Sequence, residues 1–299
     1  MKKSLKRKHF GFKAFSHIFF VIFSLCCVIP FLLLISISFS NEKDILDGGF
    51  SLIPKNFSLD AYKYVLSEPS ALVDAYMVTG FYTIFGTIIS ILLMAGVAYA
   101  LARSTFRYKK ALTVYLLITM LFNGGLTSSY IINTQVYNLG DNLLIFLFNG
   151  ATVTAYQIFV FRTFFKQIPE SLIESANLEG ANEWQLMSKI VFPLSTPVLA
   201  TFGFMGAVAR WNNVQLALYY ITDSKYFTLQ LLLQKILNQA EYLNQLKKMM
   251  DISVMTTEII PTETMKFAMC ILACGPMILV FPFFQKYLTK GMVVGAVKG

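Results

Sequence analysis

An all-α membrane protein, with six transmembrane helices and a cytoplasmic helical loop set between the fourth and fifth, is the fold class this sequence predicts. Three observations carry that reading. Of 299 residues, 56% are hydrophobic and only 14% charged, whereas an average soluble domain has about 25% charged residues. Six apolar stretches are long enough to cross a bilayer, near 16–39, 76–101, 112–133, 143–165, 197–218 and 265–286. Between the fourth and fifth lies a polar run rich in helix breakers, PESLIESANLEGANEWQLMSKIVFPLSTP, residues 169–197.

Residues 1–15 form a basic head, and residues 16–299 form the transmembrane domain. The first stretch has too long an apolar core for a signal peptide and lacks a small-residue cleavage site, so an uncleaved span is expected. Residues 40–75, with Pro54 and scattered polar residues, read as a folded outer loop. The third stretch is interrupted by Asn123, Gly124 and Gly125. The fifth carries Arg210, which a rise of ~1.5 Å per residue from Pro197 places roughly 20 Å into the span. In the outer segment 221–264, Leu229, Leu232, Leu233, Ile236, Ala240 and Leu243 recur at helical spacing and predict an amphipathic helix. Residues 287–299 follow the last span as a tail.

Basic residues set the orientation. With both termini in the cytoplasm, the inner segments hold 16 of the 25 Lys and Arg residues and four acidic ones, Glu170, Glu174, Glu179 and Glu183. This asymmetry accounts for the formal charge of +9 without any nucleic-acid partner. It also puts residues 169–197 and the tail in the cytoplasm of a multi-pass plasma-membrane protein. Cys26, Cys27, Cys270 and Cys274 all sit in apolar runs and read as small lipid- or core-facing residues.

Within 169–197, Leu172, Ile173 and Ala176 share one helical face, and Glu170 and Glu174 point the other way. Gly180 suits the left-handed position that ends a helix. Asn182 offers an N-cap with Gln185 as its capping-box partner. Two short helices with a sharp bend are predicted, the second packing Trp184, Leu186, Met187 and Ile190 against the span ends.

No phosphate-cradling G-x-x-x-x-G-K-S/T, H-E-x-x-H or G-x-S-x-G element occurs, and His9 and His17 read as interfacial. Catalytic and metal-ligating residues are therefore not expected. Ion-coupled transporters place ionisable residues at mid-membrane depth, and these spans nearly lack them. A cytoplasmic knob without an internal engine points to a separate ATPase. A self-contained secondary transporter or channel is the alternative. A membrane-embedded enzyme would need an inward-facing nucleophile or metal set.

The run Glu174-Ser175-Ala176-Asn177-Leu178-Glu179-Gly180-Ala181, followed by Ile190-Val191-Phe192-Pro193, resembles the EAA loop of binding-protein-dependent ABC importer permeases. Ser175 and Glu179 depart from the usual Ala and Asp by small changes. Ala98-Tyr99-Ala100-Leu101-Ala102-Arg103 is similar to the family's second-span exit. Phe122-Asn123-Gly124-Gly125-Leu126, Trp211-Asn212 and the tail from Pro282 to Gly299 resemble a carbohydrate subgroup that takes up complex oligo- and polysaccharides. The resemblance implies a type I ABC importer permease fold. It implies a second homologous permease, two ATPase subunits holding ATP and Mg, an extracellular solute-binding protein and an oligosaccharide substrate, with no cofactor on this chain. On it, Glu174, Ser175, Ala176, Leu178, Gly180, Ala181 and Pro193 would couple to the ATPase, with Glu174 accepting charge-assisted bonds. Sugars are recognised by hydroxyl hydrogen bonds and aromatic stacking, so Asn123, Tyr130, Arg210, Trp211 and Asn212 are candidates for the substrate pathway. Arg210 would meet an acidic sugar group, or a carboxylate or carbonyl of the other permease.

Overall fold

The computed structural model describes residues 2–67, 69–149, 153–249 and 261–294. The last residues of the tail motif and part of the outer segment 221–264 lie outside them. The described chain is helical, with a single isolated bridge between Ser40 and Phe57. Its helices are α1 (Lys2–Ser38), α2 (Glu42–Gly48), α3 (Asp60–Val65), α4 (Pro69–Ala102), α5 (Lys109–Leu121), α6 (Gly125–Ile131), α7 (Leu144–Phe148), α8 (Ala155–Phe165), α9 (Glu170–Leu178), α10 (Glu183–Leu186), α11 (Phe192–Leu194), α12 (Thr196–Trp211), α13 (Gln215–Tyr220), α14 (Leu229–Met249) and α15 (Thr262–Val294).

Among the described residues, three segments are long and apolar enough to cross a membrane alone: Phe15–Ser38, Pro69–Ala102 and Thr262–Leu288. They match the first, second and sixth expected spans. Two bent pairs bring the number to as many as five. The third expected span is one of these, bent by 109° between Lys109–Leu121 and Gly125–Val136. The cause is local: Gly125 sits at φ +80, and Asn123 Oδ1 accepts its N–H at 2.8 Å. In the fourth stretch the helices are α7 and α8, with 150–152 outside the described residues. The fifth stretch differs from expectation in length. Its helix starts at Thr196 and stops at Trp211, and α13 begins again at Gln215.

The second bend, 80°, separates Glu183–Leu194 from Thr196–Trp211. Pro197 has no N–H to offer the carbonyl of Pro193. The Thr196 hydroxyl donates to that carbonyl instead, at 2.8 Å. A π-helical turn, Met187–Val191, precedes the bend.

The chain forms two compact units. In Met1–Glu68 with Leu233–Gly275, Phe39 stacks on Phe57 and Tyr62 at 5.5 and 5.1 Å. The buried Glu42 carboxylate accepts from the Glu263 and Thr264 backbone N–H groups at 2.8 and 2.9 Å, and from the Thr264 hydroxyl at 2.7 Å. It thereby satisfies donors that the first turn of α15 leaves open.

In Pro69–Leu232 with Pro276–Gly299, one apolar cluster joins α4, α8 and the second half of the polar segment. It contains Ala95, Ala98 and Leu101 from α4, Ile158 and Phe161 from α8, and Leu186, Met187 and Val191. The small residues on α4 let neighbouring backbones approach. A second cluster joins Tyr82 of α4 to Phe146 of α7 and to Leu216 and Ala217 of α13. The amphipathic helix expected near 229–243 is α14, with Leu229, Leu231, Leu233 and Ala240 buried and Leu243 exposed.

Glu183, at the start of α10, is held by the far end of α4. The Tyr99 hydroxyl donates to one carboxylate oxygen, and Arg103 Nη2 donates to the other at 3.1 Å. Burial pushes the Glu183 carboxyl up, but the Tyr99 and Arg103 hydrogen bonds and the Arg103 charge outweigh it and hold it below the usual 4.5. A carboxylate held down in the folded state stabilises fully above its unfolded value, and that contribution fades as pH falls through the folded one. Its side chain is 59% exposed, so the pair contributes about 0.2–1 kcal/mol. Thermal unfolding of Glu183→Gln should show that loss at pH 7, with variant and parent converging as pH drops below 4.5. Gly180 has φ +85; Gly180→Ala should cost about 1–2 kcal/mol in the same assay.

Candidate functional site

The polar segment 169–197 is a built handle. Helix α9 ends in a Schellman turn: the Ala181 N–H reaches the Ala176 carbonyl at 3.0 Å and the Gly180 N–H the Asn177 carbonyl at 3.0 Å. The left-handed Gly180 makes this possible. Asn182 and Gln185 then form a reciprocal capping box, both bonds 2.9 Å. Ile173, Ala176 and Ala181 pack on the apolar cluster. Glu170, Glu174, Ser175 and Leu178 face outward, and the Ser175 hydroxyl donates to the Ser171 carbonyl. Pro193 lies in α11, just before the 80° bend.

Two side chains lie elsewhere than the pattern suggested. Trp184 does not pack on the span ends: it is 68% exposed, while Leu186 and Met187 carry the packing. Leu172 is also exposed, whereas its expected face-mates Ile173 and Ala176 are half-buried. With Leu178 at 90% exposure, the handle presents an apolar surface beside two carboxylates. The contact of Tyr99 and Arg103 with Glu183 is what sequence reasoning missed. Tyr99 and Arg103 are one helical turn apart, which was readable. Their partner 80 or more positions away was not.

Two cavities lie in the same unit, and Tyr82 and Asn213 line both. The larger, about 390 Å³, is lined by Asn123, Asn149, Gln215 and Tyr219, among others. The smaller, about 240 Å³, contains Arg210 together with Ser90, Thr87 and Gln157. The buried Thr87 hydroxyl has no hydrogen-bond partner among the described residues. Arg210 is buried on α12. A Cβ at Gly86 would stand 3.1 Å from its Nε, and one at Gly206 2.8 Å from its Nη1. The two glycines make the room the guanidinium occupies.

Of the sequence-predicted pathway residues, Asn123 lines the larger cavity and Arg210 the smaller. Tyr130 stacks at 5.7 Å on Tyr220, itself a wall of the larger cavity. Trp211 is buried, 6.3 Å from Tyr76. Asn212 donates to the Val208 carbonyl at 3.0 Å and accepts from Gln230 at 3.4 Å. Trp211 and Asn212 are not among the walls of either cavity. Tyr82, Gln157 and Asn149 were not singled out from sequence, because an isolated polar residue in an apolar run carries no sign of which way it faces.

Residues 111–294 match the family described as binding-protein-dependent transport system inner membrane component. The chain is 34% identical to the polygalacturonan/rhamnogalacturonan transport system permease protein YtcP of Bacillus subtilis (strain 168), covering 94% of this chain and 96% of that one. It is 26% identical to the maltose/maltodextrin transport system permease protein MalG of Escherichia coli (strain K12), covering 95% of each. Its fold matches a chain in the crystal structure of a bacterial ABC transporter involved in the import of the acidic polysaccharide alginate. That match has a TM-score of 0.78 and 29% identity, and covers 93% of this chain and 96% of that one. Family match, relatives and helical architecture agree: this multi-pass membrane protein belongs to the inner-membrane components of binding-protein-dependent transport systems.

Proposed function

We propose that this chain is a permease subunit of an ATP-driven importer of oligosaccharides. It forms half of the translocation pathway and is driven through the handle at 169–197. Its partners are a second homologous permease, two ATPase subunits that bind ATP and Mg and carry out the hydrolysis, and an extracellular solute-binding protein. Six spans with both termini in the cytoplasm put the handle on the ATPase side. The charge asymmetry supports that orientation.

The observation that carries the reading is a handle rooted at one end and bare at the other. Leu186, Met187 and Val191 are buried in the membrane unit, while Glu174, Leu178 and Trp184 stand in the open. Burying one such apolar side chain in a partner's cleft contributes about 1.5–3 kcal/mol, and a hydrogen bond to a charged group such as Glu174 about 1.5–3 kcal/mol. Glu174, Ser175, Ala176, Leu178, Gly180, Ala181 and Pro193 are the proposed coupling residues. Closure of the ATPases would carry the handle with it and tilt the attached helices as rigid bodies. A self-contained transporter or channel would leave these exposed apolar side chains without a role.

The cavity walls favour an acidic sugar. Arg210, a wall of the smaller cavity, presents a guanidinium suited to a carboxylate group. Amides and tyrosines provide the rest of a sugar-binding surface. The relative named for polygalacturonan and the solved importer of the acidic polysaccharide alginate support the same class. Asn123, Tyr130 and Arg210 are the proposed pathway residues, joined by Tyr82 and Asn213; Trp211 and Asn212, the other two candidates, line neither cavity.

Two measurements test these assignments. Glu174→Lys should reduce co-purification of the ATPase subunits at least tenfold and abolish sugar uptake. Wild-type uptake in that variant would end the coupling assignment. Arg210→Gln should lower uptake of an oligogalacturonate at least tenfold in proteoliposomes. Equal uptake by variant and parent would remove Arg210 from the pathway.

A further inference from the structure

A third cavity, about 520 Å³, lies where the end of α4, the start of α5, the end of α8 and the base of the handle meet. Its walls include Arg103, Lys109 and Lys166, with Ser104 and Gln167 between them and Glu170 as the acidic residue among them. Arg103 spends Nη2 on Glu183. Its Nε, like that of Arg162 nearby, is buried with no hydrogen-bond partner among the described residues. The lysines are crowded: burial first, then the charges of Lys166 and Arg162, hold the Lys109 ammonium below the usual lysine range. With Arg103 paired to Glu183, Glu170 is the carboxylate that faces both Lys109 and Lys166 in the wall, and an added anion would relieve the remaining repulsion.

We propose that this cavity binds the phosphate group of an anionic ligand, either a phospholipid headgroup or a free phosphate, at the cytoplasmic membrane surface. Geometry favours this chemistry: guanidinium and ammonium donors converge with a hydroxyl and an amide in a concave site at the ends of apolar helices. Val114, Tyr115 and Ile118 are exposed apolar side chains farther along α5, so the helix that carries Lys109 also presents apolar surface. Because Pro169, Glu170 and Ile173 of the handle form part of the wall, a bound phosphate would touch the coupling element directly. The proposal rests on the cytoplasmic placement of the handle.

The test uses the assembled transporter, with its partner subunits, in nanodiscs of phosphatidylcholine with or without phosphatidylglycerol. Native mass spectrometry reads the lipid retained, and proteoliposome uptake of oligogalacturonate is measured in parallel. Parent protein should retain phosphatidylglycerol over phosphatidylcholine. A Lys109→Gln/Lys166→Gln double variant should bind it about thirtyfold more weakly, at roughly 1 kcal/mol for each lysine removed. Retention that inorganic phosphate does not compete identifies the lipid as the source, and displacement by inorganic phosphate identifies the free anion. No preference for phosphatidylglycerol together with no phosphate binding would overturn the proposal. So would a double variant that retains lipid like the parent, or one that sheds its ATPase subunits, which would make the cavity part of the ATPase dock. Uptake that persists while lipid binding fails would sink this site and leave the permease reading standing.

Discussion

One carboxylate ties the handle to the longest uninterrupted helix of its unit. Glu183 takes a hydroxyl from Tyr99, in the last turn of α4, and a guanidinium from Arg103, the residue just past its end. The two contributions to this joint differ in kind. Leu186, Met187 and Val191, buried at its root, each stabilise by about 1.5–3 kcal/mol. The partly exposed ion pair adds a fraction of that. Apolar packing therefore holds the handle on, and the directional bonds to Glu183 set the angle at which it leaves. A hydrophobic root alone would tolerate rotation. A carboxylate reached from two positions one turn apart does not.

A second constraint governs where the helices break. Inside hydrocarbon every backbone polar group needs an internal partner, so irregular backbone is tolerated where it is buried in protein or lines a water-filled space. The interruptions here obey that rule. Asn123 precedes the left-handed Gly125, Asn149 closes α7, and Asn213 lies between α12 and α13. All three asparagines line the larger cavity. Transporters commonly build their sites from such discontinuous helices. The breaks give the cavity both its polar walls and its freed backbone groups.

The same constraints decide what could be read from sequence. The long spans were legible because nothing but a membrane or a core accommodates such runs. The handle's turn was legible from Gly180, Asn182 and Gln185, since left-handed backbone and capping are local chemistry. Asn123-Gly124-Gly125 announced its break for the same reason. Glu183 looked like one more surface acid, because its partners belong to another helix. Trp184 looked like packing, because an aromatic beside Leu186 has no sequence mark of exposure. Trp211 and Asn212 adjoin Arg210 in the chain, but a helix turns about 100° per residue, so neighbours in sequence face different surroundings. The end of α12 at Trp211, short of the expected 218, reflects a polar Asn212-Asn213 pair that an apolar window averages away.

Handle and cavity are joined by α4 itself. Tyr82, a wall of both cavities, and Tyr99, a hydrogen-bond donor to Glu183, lie on this one 34-residue helix. At ~1.5 Å per residue they are roughly 25 Å apart. The helix runs without a break, a proline or a π-helical turn between them. The intervening residues Met94, Ala95 and Ala98 are packed against α8 and the handle's root. A rigid rod pinned at its middle and gripped at one end moves its other end when the grip moves. Force applied to the exposed face of α9 would then reach Tyr82, and with it the packing around Arg210, without any change within α4. The glycines at 86 and 206 fit the guanidinium so closely that even a small relative shift of α4 and α12 would alter the space available to it.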